Sequence, residues 1–232
     1  MSAPLEPSDR APGLAMSPAA TVEPDVGLGA HVVVHAGATV RQGAEIQDGA
    51  VIGKAPRLGP RSDAPAPEPA ATEIESGAVV CCGAVIAAGA RIRDGAIVGD
   101  HAFVREGAEI GEGSVIGHGS AIGRGVQIGA RARLQNSVVI APGWDVGEGA
   151  DVGPGVLTTT ERWHPHEGED RPRGGSIGPR ARVGAGVVLM PGVEVGADAV
   201  IGAGAVVRES VPPGATAVGL PARLLAQDPR KG

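Results

Sequence analysis

The sequence predicts an all-β solenoid, a parallel β-helix whose short strands wind into triangular coils. Three observations carry this reading. Branched aliphatic residues recur at every sixth position, as in "IGEGSVIGHGSAIG" at 110–123. A small side chain stands two residues before most of them, so two inward positions alternate large and small. The chain holds one Phe, two Trp and no Tyr, which leaves Ile, Val, Leu and Ala to fill a narrow interior. A six-residue period gives one flat strand and one turn, and three such units close a coil of 18 residues. Successive coils then stack at about 4.8 Å, the spacing of hydrogen-bonded strands.

The elements follow in three runs. The first places Val34, Val40, Ile46 and Ile52 inward. The second is unbroken from Ile74 through Ile86, Val98, Ile110, Ile122 and Leu134 to Val152. The third runs from Ile177 through Leu189 and Ile201 to Val207. Between Ile52 and Ile74 the step is 22 residues, filled by a Pro-rich stretch over 53–73 that reads as a solvated loop. Between Val152 and Ile177 the step is 25, and the insert over 157–176 gathers Trp163, His164, His166 and several charges. Long inserts in a compact array are often functional. Trp144 stands where the repeat asks for a small inward residue, so a bulge is expected at "APGW".

The boundaries expected are an N-terminal disordered arm over 1–27, a β-helix over 28–220, and a tail over 221–232. Gly and Pro make up about a quarter of the 232 residues, a composition that without a period would mean low complexity. The net charge of −6 argues against a nucleic-acid partner. No long apolar or basic amphipathic segment points to a membrane, and the first 26 residues lack the pattern of a secretory leader, so a cytoplasmic location is expected. Adjacent Cys81 and Cys82 are poorly placed to bond each other and suit a reducing compartment.

Residues 28 to about 225 resemble the left-handed parallel β-helix acyltransferases with hexapeptide repeats. The left hand is implied by the resemblance and runs against the usual crossover preference. The closing segment "VGAGVVLMPGVEVGADAVIGAGAVVRESVPPGATAVGLPARLL" at 183–225 is similar to the end of the CoA-dependent members. The resemblance implies acetyl-CoA as acyl donor, a homotrimer with donor grooves between subunits, and donor contacts from Ala185, Ala203, Arg208 and Arg223. "TTTERWHPH" in the second insert is similar to two branches. In the galactoside and maltose O-acetyltransferases a His-Pro after Pro-Gly-Val supplies the base, which corresponds here to His164. In the nucleotide-sugar N-acetyltransferases a "Q-N" turn precedes a threonine run, and here Gln135 and Asn136 stand in "RLQNSVVIAPG". The many uninterrupted coils before the insert favour the second branch, and so an amino sugar carried on a nucleotide as acceptor.

Within the unbroken run, residues 18 apart lie one above another. His118 therefore has Asp100 below it, Asn136 above it, and Cys82 a further coil down, all at an outward turn position. In the catalytic reading Asp100 orients the imidazole, His118 takes a proton from the acceptor, and Asn136 with Gln135 holds the acceptor, while Trp163 either stacks on its sugar or base or packs on the adjacent subunit. The alternatives are that His164 is the base, that the amine arrives neutral, or that the column is an ordinary polar turn ladder. His101, beside Asp100, either lines the groove or is a solvated turn residue. His31 and His35 read as exposed residues of the first rung. No metal is expected: a carbonic-anhydrase-like site needs three converging histidines, and His101 and His118, 17 apart, sit at different places on the coil. A non-catalytic solenoid is the remaining class.

Overall fold

The computed structural model describes residues 5–57, 71–160 and 174–225. Every regular element in these residues is a strand, most of them two or three residues long. The chain visits three sheets in turn. The first holds 11 strands and runs up to Val206–Val207, the second holds nine and runs from Thr21–Val22 to Glu194–Val195, and the third holds 11 and begins at Gly27–Leu28. Apart from one antiparallel pair at each end, neighbouring strands pair in parallel. Within the long run partners are 18 residues apart, as in Val115 with Arg133 and Ile116 with Leu134. The expected all-β, left-handed parallel β-helix is the fold observed.

The repeat explains the packing. In each strand the large aliphatic points inward, and Ile46, Ile110, Ile116 and Ile122 are fully buried. The small residue ahead of the strand, such as Ala44, Ala96 or Ala108, closes the corner and is buried as well. Each turn needs one residue with positive φ. Gly113 and Gly119 supply it at no steric cost, while His101 adopts the same conformation at φ 55. Coil stacking rather than core breadth supplies the stability.

The structure corrects the sequence reading at four places. Of the arm expected over 1–27, the described residues 5–27 are ordered into the solenoid: Leu14–Met16 pairs in parallel with the strand at Val33–Val34, Thr21–Val22 pairs with Thr39–Val40, and Leu14 is buried. The strands at Leu14–Met16, Thr21–Val22 and Gly27–Leu28 form the first coil and cap the core above it. His35 accordingly is half-buried and not on the first rung, whereas His31 is exposed. The tail does not start at 221, because Arg223–Leu224 folds back antiparallel on Thr216–Val218. The inserts are narrower than expected, since Val51–Lys54, Thr72–Ile74, Leu157–Thr158 and Ser176–Ile177 are strands of the helix. Finally, no bulge forms at Trp144. Asp145 and Val146 keep regular register with Gln127 and Ile128 below and Ser176 and Ile177 above.

The indole finds its room in the next coil. Gly175 occupies the matching inward position, and a Cβ there would lie 2.6 Å from the Trp144 ring. Trp144 is fully buried, and its Nε1 donates to the Thr159 carbonyl at 2.9 Å. The side chain thus touches both ends of the second insert.

Candidate active site

The three corners of the prism differ in chemistry. Both inserts leave from the corner between the first and second sheets. His118 lies instead on the corner between the third and first sheets, in the turn joining Val115–Ile116 to Ala121–Ile122. Stacking on this corner is fixed by the backbone. The carbonyls of Asp100, His118 and Asn136 accept from the N–H groups of Gly119, Ser137 and Gly155 at 2.8–3.0 Å. The ladder continues upward, because the carbonyls of Pro154 and Ala185 accept from Gly186 and Gly204. Cys82, Asp100, His118, Asn136, Pro154, Ala185 and Ala203 are therefore one column.

This column brings together polar residues of the middle coils and small residues of the upper ones. His118, Asn136, Ala185 and Ala203 are all exposed along it. Three coils separate His118 from Ala185, about 14 Å at strand spacing. The turns around the upper residues are bare: at Gly186 and Gly204 a Cβ would meet nothing within 4 Å. An extended chain can lie along such a surface without displacing side chains. Beside it, between the levels of Asn136 and Ala203, a cavity of about 300 Å³ is lined by Gln135, Asp151, Pro154, Arg182 and Gly184, among others.

The terminal hairpin completes the corner. Val200 and Ile201 pair with Thr216 and Ala217, so Gly219 follows in register above Ala203. The Val206 N–H donates to the Gly219 carbonyl, and the Ala222 N–H donates to that of Val206. Arg223 is thereby carried to the end of the column, exposed and donating to the Ala222 carbonyl at 3.0 Å. Arg208 is not brought there. It stands on the corner between the first and second sheets, at the top of the helix.

The polar contacts within the column differ from those expected. The Asp100 carboxylate accepts from the Cys82 backbone N–H at 3.0 Å, and the Asn136 amide oxygen accepts from that of His118 at 3.1 Å. Asp48 caps Ala30 in the same way at 2.7 Å. These side chains satisfy turn donors one coil below, a structural role for a short polar residue. Among the described residues no hydrogen bond or ion pair joins Asp100 to the His118 side chain. The His118 imidazole instead meets the ring of His101 edge-to-face, with centroids 5.7 Å apart and planes at 83°. Sequence reasoning missed this contact because it links residues 17 apart, diagonally across the turn.

Burial and the neighbouring Asp100, Cys82 and Glu45 push the Cys81 thiol up, so it is no ready nucleophile. Trp163 and His164 lie outside the described residues, as does His166. Among the described residues no three His, Cys, Asp or Glu groups converge as metal ligands. No described helix is long and apolar enough to cross a membrane.

Residues 107–142 and 174–209 match the family model of the bacterial transferase hexapeptide (six repeats). Both matched segments lie within the solenoid and share its six-residue period. The chain also aligns with solved structures. A perosamine N-acetyltransferase from Caulobacter crescentus, in complex with CoA and GDP-perosamine, is 20% identical over 92% of this chain and 57% of its own, with a TM-score of 0.32. A UDP-N-acetylglucosamine acyltransferase from Campylobacter jejuni is 20% identical over 91% of this chain and 74% of its own, with a TM-score of 0.44. A galactoside acetyltransferase in complex with coenzyme A is 25% identical over 52% and 64%, with a TM-score of 0.46. This chain thus spans little more than half the length of the Caulobacter enzyme. The search of curated proteins gave no match.

Proposed function

We propose that the protein is an acyl-CoA-dependent acyltransferase that moves the acetyl group of acetyl-CoA to the amine of a nucleotide-linked amino sugar, as a cytoplasmic homotrimer. The observation that carries this is the single column on which His118 and Asn136 stand below Ala185 and Ala203. Donor and acceptor can approach along one corner from opposite ends, with the thioester near Pro154. The bare turns at Ala185 and Ala203 suit a pantetheine arm, and Arg223 at the column's end suits the donor's phosphates. In the reaction the acceptor nitrogen attacks the thioester carbonyl, the new C–N bond forms, and the C–S bond breaks to release CoA thiol. His118 takes the proton the nitrogen sheds and passes it to the departing sulfur, a task that contributes about 10² to 10⁴ in rate. Asn136, fixed by its bond to the His118 backbone, borders the acceptor.

The oligomeric part of the proposal rests on the outer surfaces. In the first sheet the outward residue beside each inward aliphatic is apolar from Ala15 to Val206, including Val51, Val85, Phe103, Val139 and Leu157, with Lys54 at the end of its strand the charged exception. The second sheet presents Glu73, Arg91, Glu109, Gln127 and Asp145 instead. A continuous apolar stripe of this kind marks an interface. It borders the His118 corner, so a neighbouring subunit would wall the groove.

The test is release of free CoA thiol from acetyl-CoA with UDP-, GDP- and dTDP-linked amino sugars, against the same sugars without the amine. The proposal expects release only with the amine present. Transfer to hydroxyl acceptors, abolished by His164→Ala, would replace it with O-acetylation.

A further inference from the structure

We propose that His101 is a positioning residue for His118, a role that rests on the transferase reading above. The third turn position of this corner is occupied by Gly13, His31, Gly49, Gly83, His101, Gly119, Ser137 and Gly155 in successive coils. Glycine is the rule there because φ is positive, and His101 accepts that conformation at φ 55. Its ring has a floor: a Cβ on Gly83, one coil below, would come within 2.6 Å of the His101 Nδ1. Against its other side rests the His118 ring, edge-to-face at 5.7 Å.

His118 has a glycine on either side in Gly117 and Gly119 and is exposed, so its neighbours in the chain do little to restrict its rotamer. What holds its backbone is the Asn136 side chain. What holds its imidazole is His101, through an aromatic contact that favours one orientation. Asp100, spent on the Cys82 N–H, makes no described bond to the ring. A base must be held in the direction of the proton it removes, and small misplacements cost rate rather than donor binding. His101 thus takes the orienting part.

His101→Gly is the direct test, since glycine is the ordinary residue of this position and leaves the turn unstrained. His31→Gly is the control: His31 has the same conformation, at φ 56 over Gly13, three coils below His101. The proposal expects His101→Gly to keep the melting temperature and the KM for acetyl-CoA while kcat falls about tenfold. It expects the double variant with His118→Ala to be no slower than His118→Ala alone, because both changes remove one function. The NMR ring-proton signals of His118, identified among six histidines by their loss in His118→Asn, should move when His101 is replaced and stay when His31 is. Full kcat in His101→Gly, or multiplying losses in the double variant, would overturn the proposal. So would unmoved His118 signals, a result that needs no acceptor. A wild-type chain that transfers no acetyl group overturns the transferase reading instead, and the ring signals still decide the pairing.

Discussion

Trp144 shows how one residue can be wrong for its repeat and right for its coil. The positions beneath it in the same inward row are Ala90, Ala108 and Val126, and the one above is Gly175. The volume removed at 175 is the volume spent at 144. Trp144→Ala should therefore open a cavity and cost about 3–5 kcal/mol in denaturant unfolding. Gly175→Ala should be destabilising too, because its Cβ would press on the Val193 carbonyl at 2.3 Å as well as on the indole. If Gly175→Ala unfolds at the wild-type denaturant concentration, the pairing of these two positions is wrong. The match was hidden in the sequence because the second insert interrupts the 18-residue count between them.

His35 gives the residue scale a pH dependence. Burial, and then the charge of Lys54, hold its imidazole below the ordinary histidine range. The folded state thus favours the neutral form. Below about pH 6.5 the unfolded chain takes up a proton before the folded one does, so this contribution to stability is lost as pH falls. His35→Gln should flatten the fall in melting temperature between pH 7.5 and 5.5. An unchanged slope would show that the corner beside Lys54 does not resist protonation.

At the scale of the coil, the hexads from Val34 to Val207 were legible because each strand must bury one large and one small residue. The two ends were not. The first coil covers only one side of its core, so its demand for large aliphatics is weaker: Val22 and Leu28 are half-buried where Ile46 is fully buried. Its Pro-rich sequence then reads as an arm. Capping coils of solenoids depart from the consensus for this reason. The terminal hairpin was missed in a different way, since an antiparallel return has no period of its own. The column at the His118 corner was legible by counting in eighteens. Its side-chain contacts were not, because whether Asp100 turns toward Cys82 or His118 depends on which turn donor lacks a partner.

For the whole molecule the apolar first sheet makes the next prediction. Phe103 and Leu157 remain 39% exposed in the single chain, a large apolar commitment for one surface. Phe103→Glu together with Leu157→Glu should yield a folded species of lower mass in sedimentation, with its melting temperature dependent on protein concentration no longer. A wild-type chain that already sediments as a monomer would remove the proposed trimer. The same double change should lower transferase activity, since a subunit boundary would wall the His118 corner.

The proposed chemistry rests on catalysis at that corner, and a pair of histidine variants decides it. His118→Ala, assayed with acetyl-CoA and the best amino-sugar nucleotide, should lower kcat by about 10² or more. Its affinity for CoA should match that of the wild type, because the proposed donor residues Ala185 and Ala203 lie three and four coils higher. A kcat within a few-fold of wild type for His118→Ala, with His164→Ala abolishing turnover, would rule out His118 as the base and assign the proton transfer to the second insert.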